Sequence, residues 1–310
     1  MNRDELETII TNIHNKKNID EEILEKDYYV CLVLKDLSEN QDNLEAYFKG
    51  GTAVYKILDH MNRFSEDIDL TVKVNESESG TSNRRRLKKS ALGYKIDGLE
   101  LQKEKTIDKK GSIAAFYKYD SLFNINKLFK PSEVQIESTS FTVSDPTEKY
   151  TIEPLIYKYA NDDEKKILKE DYNISDFKIK IITLERIFID KIFAAEFYYE
   201  RKMYNDTSKH LYDITILSDN ERIKKFLKNK KEQLRMIKYK REEEERRYGG
   251  IDKNKRIIDF DIFKSSKIKD IKESFENMEK IYVLDDKDII SIKDVNIALK
   301  MIYNELSKLY

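Results

Sequence analysis

The chain has 310 residues, enough for one large domain or two ordinary ones, and its 39% hydrophobic content can fill a core. Its 58 basic and 59 acidic residues nearly cancel, which excludes a global positive field that recruits nucleic acid. The single cysteine, Cys31, excludes an intrachain disulfide and a cysteine-based zinc cluster. The N-terminal sequence lacks a signal-peptide core, and no apolar stretch approaches the roughly 18 residues of a membrane span. We therefore expect a folded cytoplasmic protein with no membrane partner.

Helix and strand signals alternate in the first half of the chain. The stretch NIDEEILEKDYYVCLVLKDLSE has apolar residues at helical spacing and predicts a packed helix with Asp20 as its N-cap. EAYFKGG then predicts a short strand and a turn, followed by a helix started by Thr52 and a strand at DIDLTVKV. Further strands are predicted at SIAAFYKY, EVQIESTSF and FKIKIIT, with a helix on SNRRRLKKSALGYK.

From TLERIFIDKIFAAEFYYERKM onward, strand signals fade and charged helical patterns continue to the C-terminus. We therefore predict an α+β fold with a mixed sheet and helices over residues 1–180. A mainly helical domain over residues 181–310 would complete the active-site cleft.

The doublet Asp67-Ile68-Asp69 carries the main chemical signal. In a strand, residues i and i+2 point to the same face, so Asp67 and Asp69 are expected to project together. Two adjacent carboxylates repel each other unless a cation lies between them, and Mg²⁺ takes oxygen ligands and substrate phosphates. An exposed strand face is the alternative for an isolated D-x-D pattern.

The residues around the doublet favour a nucleoside triphosphate. Gly50 and Gly51 allow backbone N–H groups to approach a phosphate at the start of a helix, and Thr52 can add a hydroxyl donor. Gly51 is expected at the position where a side chain would clash with the phosphate or with a backbone of positive φ. Arg63 can hold phosphate bidentately, and Ser65 lies in the same loop. Together with the carboxylates, these residues predict a site for an NTP and Mg²⁺.

The segments FKGGTAVYKI and RFSEDIDL resemble the nucleotidyltransferase AbiEii/AbiGii toxin family, a branch of the DNA-polymerase-β-like nucleotidyltransferases. EEILEKDYYVCLVLKDL is similar to the leading helix of that family, and the later segments ERIFIDKIFAAE and SKHLYDITIL are similar to its lysine-bearing helix and Tyr-Asp segment. The resemblance implies that the glycine turn, Thr52 and the Asp doublet bind NTP and metal. It also implies catalytic roles for Lys191 and Asp213. Many relatives have Arg-Asp where this chain has Lys209-His210, so these two residues are left out of the catalytic set.

The burial of Lys191, predicted from its helix, is a second argument about this residue. The helix from Leu184 to Tyr199 is apolar nearly all round, so Lys191 should be buried and needs a partner. The candidates are Asp190, Glu196, Asp213 and a bound triphosphate. An internal salt bridge is therefore the alternative to catalysis. Asp213 lies on a predicted helix capped by Asp206 or Thr207, and a solvated helix carboxylate is the alternative for it.

A third metal ligand is expected on a neighbouring strand. Polymerase-type transfer often uses two metal ions, and Gln135 and Glu137 share one face of the predicted strand EVQIESTSF. Glu137 is the candidate ligand, with an ordinary surface glutamate as the alternative.

The resemblance implies transfer of NMP from an NTP, GTP among the candidates, to an RNA acceptor such as tRNA. The setting would be a bacterial toxin–antitoxin or phage-defence pair, whose cognate antitoxin need not bind stably. Basic runs at NRRRLKK and KKFLKNKKEQLRMIKYKR could contact RNA locally. Two alternatives remain open: a phosphotransferase using the same NTP pocket, and a non-catalytic helical interaction protein.

Overall fold

The computed structural model describes residues 2–123, 132–247, 249–264 and 269–310. In these ranges the chain forms an α+β fold with a mixed sheet, and helices fill its C-terminal part. The predicted fold class is confirmed. Among the described helices, none combines the length and apolarity needed to cross a membrane.

The strands of the described residues are β1 (Ala46–Lys49), β2 (Ile68–Val72), β3 (Glu100–Leu101), β4 (Ile107–Lys109), β5 (Ser112–Lys118), β6 (Glu133–Thr139), β7 (Thr147–Ile152) and β8 (Phe177–Ile182). The helices are α1 (Arg3–Lys17), α2 (Glu21–Leu44), α3 (Gly50–Leu58), α4 (Gly80–Leu92), α5 (Leu155–Tyr159), α6 (Asp162–Asp171), α7 (Leu184–Glu200), α8 (Tyr204–Asp219), α9 (Glu221–Leu227), α10 (Lys230–Arg246), α11 (Lys272–Tyr282) and α12 (Ile292–Ser307).

The described strands form one sheet in the order β3-β5-β6-β2-β1-β8-β7, and β4 pairs with β5. Strand β2 is antiparallel to β1 and parallel to β6, so it lies between the two. The register pairs Asp69 with Lys49 on one side and with Glu137 on the other. The end of β1 and the carboxylate positions of β2 and β6 therefore meet at one place in the sheet.

The chain divides into two compact units. Unit 1 comprises Met1–Asp59, Glu66–Ser140 and Thr147–Ile181. Unit 2 comprises His60–Ser65, Phe141–Pro146 and Ile182–Tyr310. The assignment of separate functions to residues 1–180 and 181–310 stays a prediction.

In unit 1, helix α2 supplies much of the core. Its residues Tyr28, Leu34 and Leu37 are buried, as the helical spacing predicted. Asp20 occupies the N-cap position, although its side chain makes no capping hydrogen bond. The three strands predicted after residue 100 are present as β5, β6 and β8.

Two predicted helix starts are wrong. Helix α3 begins at Gly50 rather than at Thr52, so both glycines belong to its first turn. In unit 2, helix α8 begins at Tyr204 with Met203 at the N-cap, so neither Asp206 nor Thr207 caps it. In both places the helix begins two to four residues earlier than the polar cap signal indicated.

Candidate active site

The turn between β1 and α3 requires glycine at position 50. Gly50 has a φ of +86°, a conformation that residues with a Cβ rarely adopt. A Cβ built on Gly50 would overlap the Asp69 carboxylate, lying 2.8 Å from Asp69 Cγ. The Asp69 carboxylate thus lies directly against the backbone of the turn. The positive φ belongs to Gly50, whereas Gly51 has none, which corrects the expectation that Gly51 held the special backbone position.

The third residue of the turn holds the first aspartate in place. The Thr52 hydroxyl donates to the main-chain oxygen of Asp67 over 2.6 Å, and Thr52 is fully buried. Because Asp67 directly precedes β2, this bond ties the start of the carboxylate-bearing strand to the first turn of α3. A hydroxyl donor to phosphate at Thr52 stays a prediction.

Glu137 lies beside Asp69 in the sheet. The two residues are paired in the parallel register of β2 and β6, and both are half-buried. Paired residues on neighbouring strands point to the same face, so the side chains of Asp69 and Glu137 are neighbours. The register thus places two of the three predicted metal ligands, Asp69 and Glu137, side by side, and Asp67 precedes Asp69 by two residues in the chain.

One oxygen of the Asp67 carboxylate, Oδ1, is buried and has no hydrogen-bond donor among the described residues. A buried carboxylate oxygen without a partner is costly, and a bound cation or a water would relieve the cost.

The remaining predicted site residues lie in unit 2, where they form a compact ionic group. Arg63 donates from Nε to Asp213 Oδ1 over 2.7 Å and from Nη2 to Oδ2 over 2.8 Å. Lys191 Nζ lies 2.6 Å from the same Oδ2. All three side chains are buried, so Asp213 is not a solvated carboxylate, and Lys191 has the partner that its burial demanded. Ser65 is half-buried in the same unit.

The charges in this group shift its pKa values. Burial alone would raise the pKa of the Asp213 carboxyl, but Arg63 and Lys191 outweigh burial and hold that pKa well below its ordinary value. Burial, with Lys191 second, lowers the pKa of His210 well below its ordinary value, so this imidazole is neutral at pH 7. Its ring stacks on Tyr198 with centroids 5.4 Å apart. In the structure, Arg63 is bonded to Asp213, and its predicted contact with phosphate would need an exchange of partner.

A family model described as nucleotidyl transferase AbiEii toxin, type IV toxin–antitoxin system, matches residues 32–295. The chain belongs to this AbiEii family. A crystal structure of a candidate nucleotidyltransferase from H. pylori is 16% identical and covers 94% of this chain and 99% of its own, with a TM-score of 0.44. At that TM-score the likeness adds nothing to the assignment. No curated protein matches the sequence. The chain is therefore a member of a family of nucleotidyltransferase toxins of type IV systems.

Nucleotidyltransferases generally use an NTP and a divalent metal ion. Within the described ranges, no three His, Cys, Asp or Glu side chains converge closely enough to form a complete metal cage. Mg²⁺ seldom needs such a cage, because one or two carboxylates and the substrate phosphates usually hold it. The uncompensated Oδ1 of Asp67 and the Asp69 carboxylate against Gly50 fit this mode of binding. The donor set is therefore suited to an AbiEii-type metal–NTP site.

One pair near the doublet was not predicted. Glu66, directly before Asp67, lies 3.0 Å through Oε2 from the Nζ atom of Lys26 on helix α2. The available signal was the run Glu25-Lys26-Asp27, three consecutive charges between apolar neighbours. Such a run on an otherwise buried helix indicates charged side chains with internal partners.

The two predicted basic runs differ in the structure. On α4, Arg84 pairs with Asp108, and Arg86 pairs with Glu78 at 2.7 Å, so part of this charge is neutralised internally. In the second run, residues 224–241 along α9, the following turn and α10, the exposed basic residues are Lys225, Lys228, Lys230, Lys231, Arg235 and Lys238. The second run therefore offers the larger exposed basic surface.

Proposed function

We propose that this AbiEii-family chain transfers NMP from an NTP to an RNA acceptor, such as tRNA, in an Mg²⁺-dependent reaction. It would act as the toxin of an abortive-infection pair. The observation that carries this proposal is the arrangement in unit 1: Asp67 with a buried uncompensated oxygen, Asp69 against the glycine turn, and Glu137 paired with Asp69.

Each residue of this arrangement has a separate task. Asp67 and Asp69 would hold the metal ion, with Glu137 as a further ligand. Gly50 lets the Asp69 carboxylate lie against the backbone of the turn, where any side chain would collide with it, and the N–H groups of the turn would receive the triphosphate. Thr52 holds Asp67 through its main-chain oxygen, which fixes the carboxylate before the substrate arrives.

The reaction is an in-line displacement at phosphorus. An acceptor hydroxyl of the RNA attacks the α-phosphorus of the NTP, a P–O bond forms, and the bond to the β-phosphate oxygen breaks, so pyrophosphate leaves. A bound Mg²⁺ supplies charge neutralisation for the phosphate oxygens in this step. The chain contributes mainly positioning, because its carboxylates fix where that charge lies.

An RNA acceptor is supported by the exposed basic surface of α9 and α10. The whole chain is nearly neutral, so attraction to a polyanion must come from a local set of lysines and arginines. Such a set binds the RNA backbone without sequence preference and weakens as salt is raised. Replacing Lys228 and Lys231 with glutamate should therefore weaken RNA binding and reduce its salt dependence.

The direct test is incubation of the protein with total RNA and each α-labelled NTP in turn, in Mg²⁺ or EDTA. We expect label in RNA from at least one NTP, only with Mg²⁺ and not with Asp69→Asn. Asp42→Asn is the matched control, because Asp42 is an exposed carboxylate of unit 1 that pairs with Lys180. Labelling that survives in Asp69→Asn would overturn the site. Release of NDP with transfer of label only from γ-labelled NTP would identify a phosphotransferase instead.

A further inference from the structure

Helix α2 buries three consecutive charged side chains. Glu25, Lys26 and Asp27 are 1%, 4% and 2% exposed, respectively. Each buried charge is costly unless it finds a partner. Successive residues of a helix point about 100° apart, so the three side chains reach three different neighbours.

The two carboxylates fix the helix on either side of the lysine. Glu25 accepts hydrogen bonds from the Leu122 amide over 2.8 Å and the Ser121 hydroxyl over 2.6 Å. Asp27 accepts from the Lys56 ammonium over 2.6 Å, which joins α2 to α3. The backbone that carries the intervening lysine is thus held firmly against the rest of unit 1.

The Lys26 ammonium contacts the starts of two strands. Its Nζ atom donates to the main-chain oxygen of Glu133, the first residue of β6, and lies 3.0 Å from Glu66 Oε2. Glu66 directly precedes Asp67, and Glu133 opens the strand that carries Glu137. One buried cation therefore joins the beginnings of the two parallel strands that carry the predicted metal ligands.

We propose that Lys26 is a positioning residue that sets the distance between the carboxylates of β2 and those of β6. The contacts of its ammonium with Glu66 and Glu133 are called the Lys26 clasp below. The proposal rests on the proposed function, because the distance between these carboxylates matters only if they bind one metal–NTP complex.

The physical need for a clasp follows from the charges. Asp69 and Glu137 are neighbours on parallel strands, and like charges at such positions push the strands apart. A catalytic geometry tolerates displacements well under 1 Å before the rate falls strongly. A buried tie at the strand starts opposes the repulsion whether or not a metal ion is present.

A positioning role and a purely electrostatic role of Lys26 predict opposite changes in metal affinity. A lysine near a metal site repels a divalent cation, so a purely electrostatic role predicts tighter metal binding when the charge is removed. A positioning role predicts weaker binding, because the ligands move out of register. The sign of the change distinguishes the two.

The test compares Lys26→Met with Lys35→Met, measured on the whole chain. Lys35 lies on the same helix and also donates to a main-chain oxygen, that of Asn173, over 2.8 Å, so its loss is a matched control. The readouts are Mn²⁺ affinity by electron paramagnetic resonance, amide hydrogen exchange at residues 66–70 and 133–137, and kcat and KM for the NTP. We expect Lys26→Met to bind Mn²⁺ about tenfold more weakly and to lose about 10–100-fold in kcat with a smaller change in KM. Its strand-start amides should exchange faster, whereas Lys35→Met should match the wild type in all three readouts.

Mn²⁺ affinity equal to or tighter than that of the wild type would overturn the proposal, as would unchanged exchange at both strand starts. If Lys26→Met does not fold, Glu66→Gln removes the other charge of the clasp with little change in shape. Because the loss of a carboxylate weakens Mn²⁺ binding by electrostatics alone, amide exchange decides for this variant: faster exchange at both strand starts supports the clasp, and unchanged exchange overturns it. If Lys26→Met loosens the strands and weakens Mn²⁺ binding, but the wild type shows no transfer activity, the proposed function is refuted and the clasp is not. Normal transfer by Lys26→Met would refute the clasp and not the function.

Discussion

The carboxylate of Asp213 and that of Asp67 are both predicted catalytic groups, and their surroundings differ sharply. In unit 2, both oxygens of Asp213 are bonded, to the Arg63 guanidinium and the Lys191 ammonium. In unit 1, Oδ1 of Asp67 is buried and accepts no hydrogen bond from the described residues. The first carboxylate is already neutralised by the protein, whereas the second is left in the state that a bound cation would relieve.

This difference predicts that substitutions at Asp213 change mainly stability, whereas substitutions at the carboxylates of unit 1 change mainly activity. A buried carboxylate with two cations stabilises the fold relative to any variant that removes it, because the cations would be left unpaired. A buried uncompensated oxygen costs stability and is retained where function needs it. We therefore expect mutations in the two regions to have opposite signatures.

The largest expected effect is on the stability of Asp213→Asn. The change leaves Arg63 and Lys191 buried without a counter-charge, and breaking a buried pair in this way typically costs about 3–5 kcal/mol. Urea unfolding followed by circular dichroism measures the loss. A loss below about 1 kcal/mol would show that the group in unit 2 is not a stabilising one.

Asp69→Asn should show the reverse signature. Transfer should fall by about 10²–10³-fold, the usual loss when one preorganised electrostatic contact is removed from an active site. The melting temperature should stay unchanged or rise, because the repulsion from Glu137 is removed. A melting curve and the labelling assay on the same preparation check both statements, and a destabilised variant with normal turnover per folded molecule would contradict them.

Gly50→Ala sharpens the comparison within unit 1. The new Cβ would meet the Asp69 carboxylate, and the φ of +86° would strain any side chain, so we expect a loss of about 1–3 kcal/mol and weaker NTP binding. Gly80→Ala is the control, because a Cβ at Gly80 would meet no heavy atom within 4 Å. Equal stability of the two variants would refute the close approach of Asp69 to the turn.

Lys191→Met should change stability little, by about 1 kcal/mol or less. Without the lysine, Asp213 keeps both bonds from Arg63, so no carboxylate is stranded. Stability alone therefore does not decide whether Lys191 is catalytic. Turnover per folded molecule decides it: collapse of transfer would support the catalytic role, and normal transfer would leave Lys191 as part of the ionic group only.

The smallest expected effect is a pH dependence of stability below pH 4. The pKa of folded Asp213 lies below that of an unfolded aspartate, about 3.9, so its stabilisation is fully present above that pH and is lost as the pH falls further. Between pH 7 and pH 5 the wild type and Asp213→Asn should therefore keep a constant difference in stability. Below pH 4 the difference should shrink, which acid titration of urea unfolding would reveal; a difference that grows would contradict the ionic pairing.

The local order of elements around the doublet could be predicted from the sequence. The strand, glycine turn, helix and second strand each have strong local signals, and the alternation of EVQIESTSF placed Glu137 on a strand face. The register that pairs Glu137 with Asp69 has no local signal, because it depends on which strands become neighbours.

Long-range pairing explains what the sequence did not show. Arg63 was predicted to bind phosphate because of its place in the loop, yet its partner in the structure is Asp213, 150 residues later. The buried charges of Glu25 and Lys26 have partners about 100 residues away. The special backbone position was predicted at Gly51 and lies at Gly50, since neighbouring glycines cannot be told apart by type.

The most direct test of the central claim is Mn²⁺ binding in the presence of a non-hydrolysable NTP analogue, measured on the wild type, Asp67→Asn and Asp213→Asn. If the carboxylates of unit 1 form the metal–NTP site, the wild type binds Mn²⁺, Asp67→Asn loses at least tenfold in affinity, and the folded fraction of Asp213→Asn binds like the wild type. Wild-type affinity in Asp67→Asn, with loss confined to Asp213→Asn, would contradict the account.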